Sequence, residues 1–264
     1  MGIDPHESLV RAWGHDYDPA GLERVSRGLV EAIGDQVAVF KPQSAFFEVF
    51  GSAGVAVLER LVGDLRAAGT LVILDVKRGD IGTTMDAYAE AFLGKDAPEP
   101  PDAITLSPYL GYGSLRPAID LAHATGRGVF VLALTSNPEG ADVQHAVLHG
   151  QSVAGHVVAG ATADNADAVA RGELGSVGLV VGATVGDAVD RLGLDLAGMG
   201  GPFLAPGVGA QGGTAESLRR VFGSALPNVL AASSREVLGA GPTVAALAAR
   251  AGETAAALAE TLRL

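Results

Sequence analysis

The chain has 264 residues, of which 48% are hydrophobic and only 5% aromatic, with 37 glycines and no cysteine. That length fits one large α/β domain whose core is built from Ala, Val, Leu and Ile, and the missing cysteines exclude disulfides, thiolate catalysis and cysteine-bound metal. A net charge of −12 argues against nucleic acid or an anionic membrane as partner, since both want a basic face, but it leaves room for a small anion held by a few local cations.

No apolar run approaches the ~20 residues that span a bilayer and no signal-like leader opens the chain, so a soluble cytoplasmic protein is expected. A stub at Gly2-Ile3-Asp4 reads as a short strand. Helical spacing comes next over 20–33, then an apolar run at 37–40 that ends in Lys41. A helix over 53–68 leads to 71–74, a continuous apolar run with the pattern of a strand buried on both faces. Helix 86–93, strand 103–106, helix 115–123 and strand 128–134 come after it, the last running into Thr135-Ser136-Asn137-Pro138. Helix 153–169, strands 177–181 and 203–205, helix 215–221, strand 228–231 and a long Ala/Leu-rich helix over 244–262 complete the series. Alternation of this kind means parallel strands joined by crossover helices. Eight units without a break in composition predict a (β/α)8 TIM barrel forming one domain over 1–264, with a doubly wound open sheet as the alternative.

In a barrel, chemistry collects at the strand ends. Asp75 and Lys77 leave the end of strand 71–74 two residues apart and on one face, and Asp80 comes after a glycine. Buried charge is costly unless neutralised, so alternating signs here point to a built site rather than a surface ion pair. The loops after strands 203–205 and 228–231 read as a phosphate site. Gly207, Gly209, Gly212 and Gly213 allow a backbone to approach an anion, and Arg235 starts a short helix. Gly207-Val208-Gly209-Ala210-Gln211-Gly212 also matches the dinucleotide pattern G-x-G-x-x-G, but only 52 residues lie beyond Gly212, too few for the βαβαβ half normally built around it. His145 and His149 are four apart, a metal-compatible spacing on a helix, yet have no carboxylate at ligand spacing and are expected to be solvated. Asp4 has a place at the barrel mouth, although a simple helix-entry turn at Asp4-Pro5-His6 reads equally well.

Asp75-Val76-Lys77-Arg78-Gly79-Asp80-Ile81-Gly82 resembles the D-x-K-x-x-D signature of the orotidine 5′-phosphate decarboxylase family, which makes UMP. Lys41-Pro42-Gln43-Ser44-Ala45-Phe46-Phe47-Glu48, Ser107-Pro108-Tyr109-Leu110-Gly111, Thr135-Ser136-Asn137-Pro138-Glu139-Gly140 and Pro206-Gly207-Val208-Gly209 resemble its actinobacterial branch, and the likeness runs through nearly the whole chain. D-x-K-x-x-D alone is shared with Mg2+-dependent sugar-phosphate decarboxylases and aldolases of the same superfamily; a non-catalytic nucleotide-binding barrel is a third reading. The resemblance implies a homodimer that converts orotidine 5′-phosphate to UMP and CO2 with no metal or organic cofactor. It implies a charged network of Lys41, Asp75, Lys77 and Asp80, in which Lys77 protonates C6 of the pyrimidine. Asp80, Ile81 and Thr84 would act across the dimer interface, and Asp4 would contact the ribose. Ser136 would bind the pyrimidine, Gln211 and Arg235 the phosphate, and Pro206 would line the substrate. Family members usually carry a helix and a full first strand before Gly-Ile-Asp-Pro-His, so a short first strand and a lower stability than such relatives are expected.

Overall fold

The structure, a computed structural model, describes residues 1–209 and 212–262. Eight parallel strands succeed one another around a barrel: β1 (Gly2–Ile3), β2 (Val39–Pro42), β3 (Leu71–Arg78), β4 (Ala103–Leu106) and β5 (Gly128–Leu134), then β8 (Val177–Val181), β9 (Phe203–Pro206) and β10 (Val229–Ala232). The small antiparallel pair β6 (Val147–Leu148) and β7 (Gln151–Ser152) forms a hairpin in the connection after β5. Strand order equals chain order, and the Gly2 N–H donates to Ser233 O at 2.7 Å to close the ring. A sequential, closed, all-parallel sheet is a (β/α)8 barrel, and the open doubly wound sheet is excluded.

The helices are α1 (Glu7–Ala12), α2 (Pro19–Ile33), α3 (Ala45–Glu48), α4 (Gly51–Ala67), α5 (Gly82–Leu93) and α6 (Arg116–Thr125). They continue with α7 (Gly140–Gln144), α8 (Val153–Ala170), α9 (Ala188–Arg191), α10 (Ala215–Phe222), α11 (Arg235–Leu238) and α12 (Val244–Leu262). Their starts obey local chemistry. Asp18 caps α2 by accepting the Gly21 N–H at 2.7 Å with Pro19 in the first turn, and Ser152 caps α8 by accepting the Gly155 N–H at 3.0 Å. Leu22, Val25, Leu29 and Ile33 give α2 its buried stripe, against which α12 packs.

The core has two layers. A large cluster lies between the helices and the outward side chains of the strands, including Val72, Leu74, Ile104 and Leu106. A second, small cluster of Ile73, Ala103, Phe130, Val180 and Leu204 fills the barrel itself. Full burial of an aromatic such as Phe130 contributes roughly 1.5–3 kcal/mol, and its ring plugs the interior. Above this plug the side chains turn polar, and there the barrel opens.

Candidate active site

Strand alternation builds the site. Two residues beyond the interior layer of Val39, Ile73 and Ala103 stand Lys41, Asp75 and Thr105, which line a cleft of about 360 Å3 at the C-terminal mouth of the barrel. The apolar pattern alone ends strand two at Phe40, ahead of Lys41. In the structure β2 runs Val39–Pro42, so Lys41 is a strand residue held by pairing with β1. Strand three likewise extends beyond Leu74 to Arg78, because its charged half still pairs with β4.

Asp75 is the centre of the network. Its carboxylate accepts Lys41 Nζ at 3.0 Å on one oxygen, and Lys77 Nζ at 2.6 Å and Thr105 Oγ1–H at 2.8 Å on the other. Asp75 and Lys41 are 6% and 7% exposed, whereas the Lys77 side chain is 44% exposed and reaches into the cleft. Burial alone would raise the Asp75 carboxyl. The charges of Lys41 and Lys77 and their hydrogen bonds outweigh it and hold the group below the ordinary carboxylate value, so it is an anion. Lys77 itself has φ 44, a left-handed backbone that side chains bearing a Cβ seldom adopt. Such strain costs on the order of 1–3 kcal/mol and persists where the surroundings enforce it. Next to it, Arg78 ion-pairs with Glu48 at 2.6 Å and lies over the rings of Tyr88 and Phe92, anchoring the far side of the distortion.

Asp4, Ser136, Pro206 and Arg235 line the same cleft. Asp4 Oδ1 is 4.0 Å from Lys41 Nζ, and that oxygen, Ser233 Oγ and Ser234 Oγ are buried with no hydrogen-bond partner among the described residues. Buried polar atoms are rarely left unpaired, so this wall suits a hydroxyl-rich or phosphorylated ligand. Ser136 approaches Gly182 so closely that a Cβ there would overlap its hydroxyl. Arg235 is the first residue of α11, and among the described residues no carboxylate lies within ion-pair distance of it.

The glycine loop spends part of its hydrogen-bonding capacity on itself. Gly209 N–H donates to Gly213 O, Gly213 N–H to Gly207 O and Gly212 N–H to Gly209 O, at 2.9, 2.9 and 2.8 Å. These three amides are therefore used inside the loop, which folds back on itself through left-handed Gly207, Gly209 and Gly212 (φ 98, 78 and 85). Arg235 is the cation the structure places at this wall; Gln211 lies outside the described residues.

Asp80, Ile81 and Thr84 are not gathered into the cleft. Asp80 is half-buried and accepts the Ile81 N–H at 2.8 Å; Ile81 and Thr84 are exposed at the start of α5. His145 and His149 do not share a helix: His145 comes just after α7, and the exposed His149 sits in the β6–β7 turn with φ 52. No cluster of three or more candidate metal ligands occurs among the described residues.

Sequence reasoning misses Thr105 and gives no role to Gln43, whereas the run Ser233-Ser234-Arg235 after strand 228–231 already reads as part of the polar barrel mouth. Thr105 is a hydroxyl inside an otherwise apolar strand, but threonine is also an ordinary strand former, so composition alone does not single it out. Gln43 is hidden because its Nε2 donates to the backbone O of Asp75 (3.3 Å), a contact made only by the fold.

Comparison with known proteins agrees with this geometry. The family model described as "Orotidine 5'-phosphate decarboxylase / HUMPS family" matches residues 18–250. An orotidine 5′-phosphate decarboxylase of Streptomyces coelicolor is 62% identical over 250 residues, covering 94% of this chain and 87% of that protein. The enzyme of the same name from Salinispora arenicola is 60% identical over 253 residues, covering 95% and 88%. Among solved structures, a Streptomyces avermitilis protein assigned to the same activity superposes with a TM-score of 0.93 at 56% identity, over 100% of this chain and 90% of that one. The Leishmania donovani OMP decarboxylase superposes with a TM-score of 0.72 at 30% identity, over 97% and 92%. With the barrel, the charged rim and these relatives in register over almost its whole length, the chain belongs to the orotidine 5′-phosphate decarboxylase / HUMPS family.

Proposed function

We propose that the chain decarboxylates orotidine 5′-phosphate to UMP and CO2, in pyrimidine biosynthesis, with Lys77 as the proton donor. Relatives at 60% identity and above carry this activity in their names, which favours it over the sugar-phosphate chemistry that shares the family. The observation that carries the mechanism is the Lys41–Asp75–Lys77 array, one buried anion holding two cations, of which only Lys77 projects into open space.

The chemistry requires such an array. Breaking the bond between C6 and the carboxylate leaves its electron pair on C6 of a ring that stabilises it poorly, so the protein must supply charge stabilisation where the carbanion develops. The Lys77 ammonium does so and then transfers a proton from Nζ to C6, giving UMP; solvent returns the proton to the amine. Asp75 holds Lys77 in place and sits where the substrate carboxylate would be repelled. At ~4 Å and an effective dielectric near 20 that repulsion is about 4 kcal/mol, about a thousandfold in rate. Difficult reactions need up to ~23 kcal/mol, so most of the acceleration has to come from transition-state stabilisation and from phosphate binding energy that fixes the ring.

In this reading Arg235 and Gln211 hold the phosphate, Asp4 the ribose and Ser136 the pyrimidine, with Pro206 lining the pocket. Asp80, Ile81 and Thr84 serve the partner subunit of a homodimer, which accords with their position outside the cleft of their own chain. The whole of 1–264 acts as one domain, without metal or organic cofactor, in the cytoplasm. The test is loss of the orotate chromophore on incubation with orotidine 5′-phosphate and EDTA, alongside Lys77→Ala, with native mass measured on the same sample. Turnover that survives chelation and vanishes in the variant supports the assignment. Dependence on Mg2+, or UMP binding without turnover, overturns it.

A further inference from the structure

Thr105 has no role in the decarboxylase assignment, yet its surroundings are unusual. It is 1% exposed, in a strand whose other residues (Ala103, Ile104 and Leu106) are apolar. Opposite it the β3–β4 ladder slips: Leu74 pairs with Ile104 and Arg78 with Leu106. Asp75, Val76 and Lys77 thus share the space across from a single residue, Thr105. A slip of this kind takes the backbone N–H of Lys77 away from the regular ladder, and a backbone donor must find a partner. Thr105 Oγ1 accepts it at 2.9 Å and donates its own proton to Asp75 Oδ1 at 2.8 Å. The same oxygen binds Lys77 Nζ. A closed circuit results, from the Lys77 amide to Thr105, to Asp75 and back to the Lys77 ammonium, and it clamps both ends of the residue with the strained φ of 44.

We propose that Thr105 is a positioning residue for the decarboxylation: its hydroxyl fixes the left-handed backbone of Lys77 and the orientation of Asp75, and so aims the ammonium at the reacting carbon. The proposal rests on the reading of Lys77 as proton donor. A hydroxyl is required because the position needs an acceptor and a donor on one atom, with both capacities used and no freedom to rotate away. Valine has the same shape and neither capacity.

The experiment compares Thr105→Val, Thr105→Ser and Lys77→Ala for kcat and KM with orotidine 5′-phosphate, for UMP affinity and for melting temperature. Thr105→Val is expected to lower kcat by about 10- to 100-fold, because the ammonium loses its aim. Its KM and its affinity for UMP, which carries no carboxylate, should stay within about threefold, since phosphate and ribose contacts lie on other strands. Thr105→Ser keeps the hydroxyl and should restore kcat to within about threefold of the parent. Should Thr105→Val fail to fold, Thr105→Ala carries the same expectation. Parental kcat in Thr105→Val overturns the proposal. So do equal losses in the Val and Ser variants, which would point to packing at the position and not to the hydroxyl, or losses of kcat, UMP affinity and melting temperature together. Lys77→Ala separates the two levels. If it is inactive while Thr105→Val is parental, only the role of Thr105 falls; if it turns over normally, the reading of Lys77 falls first.

Discussion

Asp75 and Asp164 are the same side chain in similar company with different consequences. Asp164, on α8, takes Arg116 on both oxygens (2.6 and 3.1 Å) and the Tyr112 hydroxyl at 2.6 Å. Burial would raise its carboxyl, but the Arg116 and Tyr112 hydrogen bonds hold it below the ordinary value, and burial together with Asp164 pushes the Tyr112 hydroxyl far up. Asp75 also accepts three bonds. Its cations, however, are two separate ammonium groups instead of one planar fork, one of them half open to the cleft beside a strained backbone. Tight holding of a carboxylate therefore does not mark a reactive centre. What sets the Asp75 array apart is a positive group half open to the cleft, on a main chain the fold has bent to put it there.

Substitutions can break this contrast, and the largest effect is expected at its open end. On the proposed mechanism Lys77→Ala should lower kcat by about 10^4-fold or more, since it would remove both the proton donor and a preorganised charge; single-turnover assays at saturating substrate measure it. On the same proposal Asp75→Asn should cost about a thousandfold in kcat, from lost repulsion of the substrate carboxylate and from loosening of both lysines. A loss below tenfold would remove Asp75 from the mechanism. Arg235→Ala, on the opposite wall, should raise KM by about 10- to 100-fold if it makes the proposed charge-assisted phosphate contact, with a smaller change in kcat.

Asp164→Asn is the control and the smallest effect on activity. It should leave kcat within about twofold while costing on the order of 1–3 kcal/mol of stability, read as a melting point lower by several degrees. Acid sharpens the same comparison. Both carboxyls have folded values below their unfolded ones, so their stabilisation is present above the ordinary carboxylate pKa of about 4 and is lost as pH falls through the folded value. The melting point of the parent should drop on acidification below about pH 4, and the gap between parent and Asp164→Asn should close in that range. A gap that stays constant with pH would show that the Asp164 carboxylate carries no such linkage.

Much of the barrel is legible in the sequence because its strands are buried on both faces. Runs such as 103–106, 128–134 and 177–181 have no polar half to blur their ends, and they appear in the structure with those bounds. The apolar pattern misplaces the C-terminal ends of strands two and three, where hydrophobicity stops and pairing continues through Lys41, Asp75 and Lys77. The short helices α1, α3, α7 and α9 and the β6–β7 hairpin are not visible either, since elements of two to six residues are too short to show a period. In the site, charge is legible and geometry is not. The acidic and basic residues of the rim announce themselves by sign and spacing, whereas Thr105 and Gln43 matter through partners brought from other strands. The glycine loop shows the ambiguity of composition from the other side, because glycines that suggest an anion cradle equally permit a loop to bond to itself, as three of its amides do.

The slip between β3 and β4 also has an arithmetic consequence. Three residues of β3 stand against one of β4, an excess of two, and a pleated strand repeats every two residues. The inside–outside phase is thus the same before and after: Leu74 and Leu106 both belong to the outer core, and Asp75, Lys77 and Thr105 all line the cleft. An excess of one residue would have turned everything beyond it inside out. The interruption behaves like an insertion of one whole reading frame, adding a second inward-facing charge and leaving the rest of the strand in phase. Removal of Val76 alone should therefore misframe the strand end, whereas removal of Val76 and Lys77 together should leave a barrel in phase that has lost the proposed proton donor.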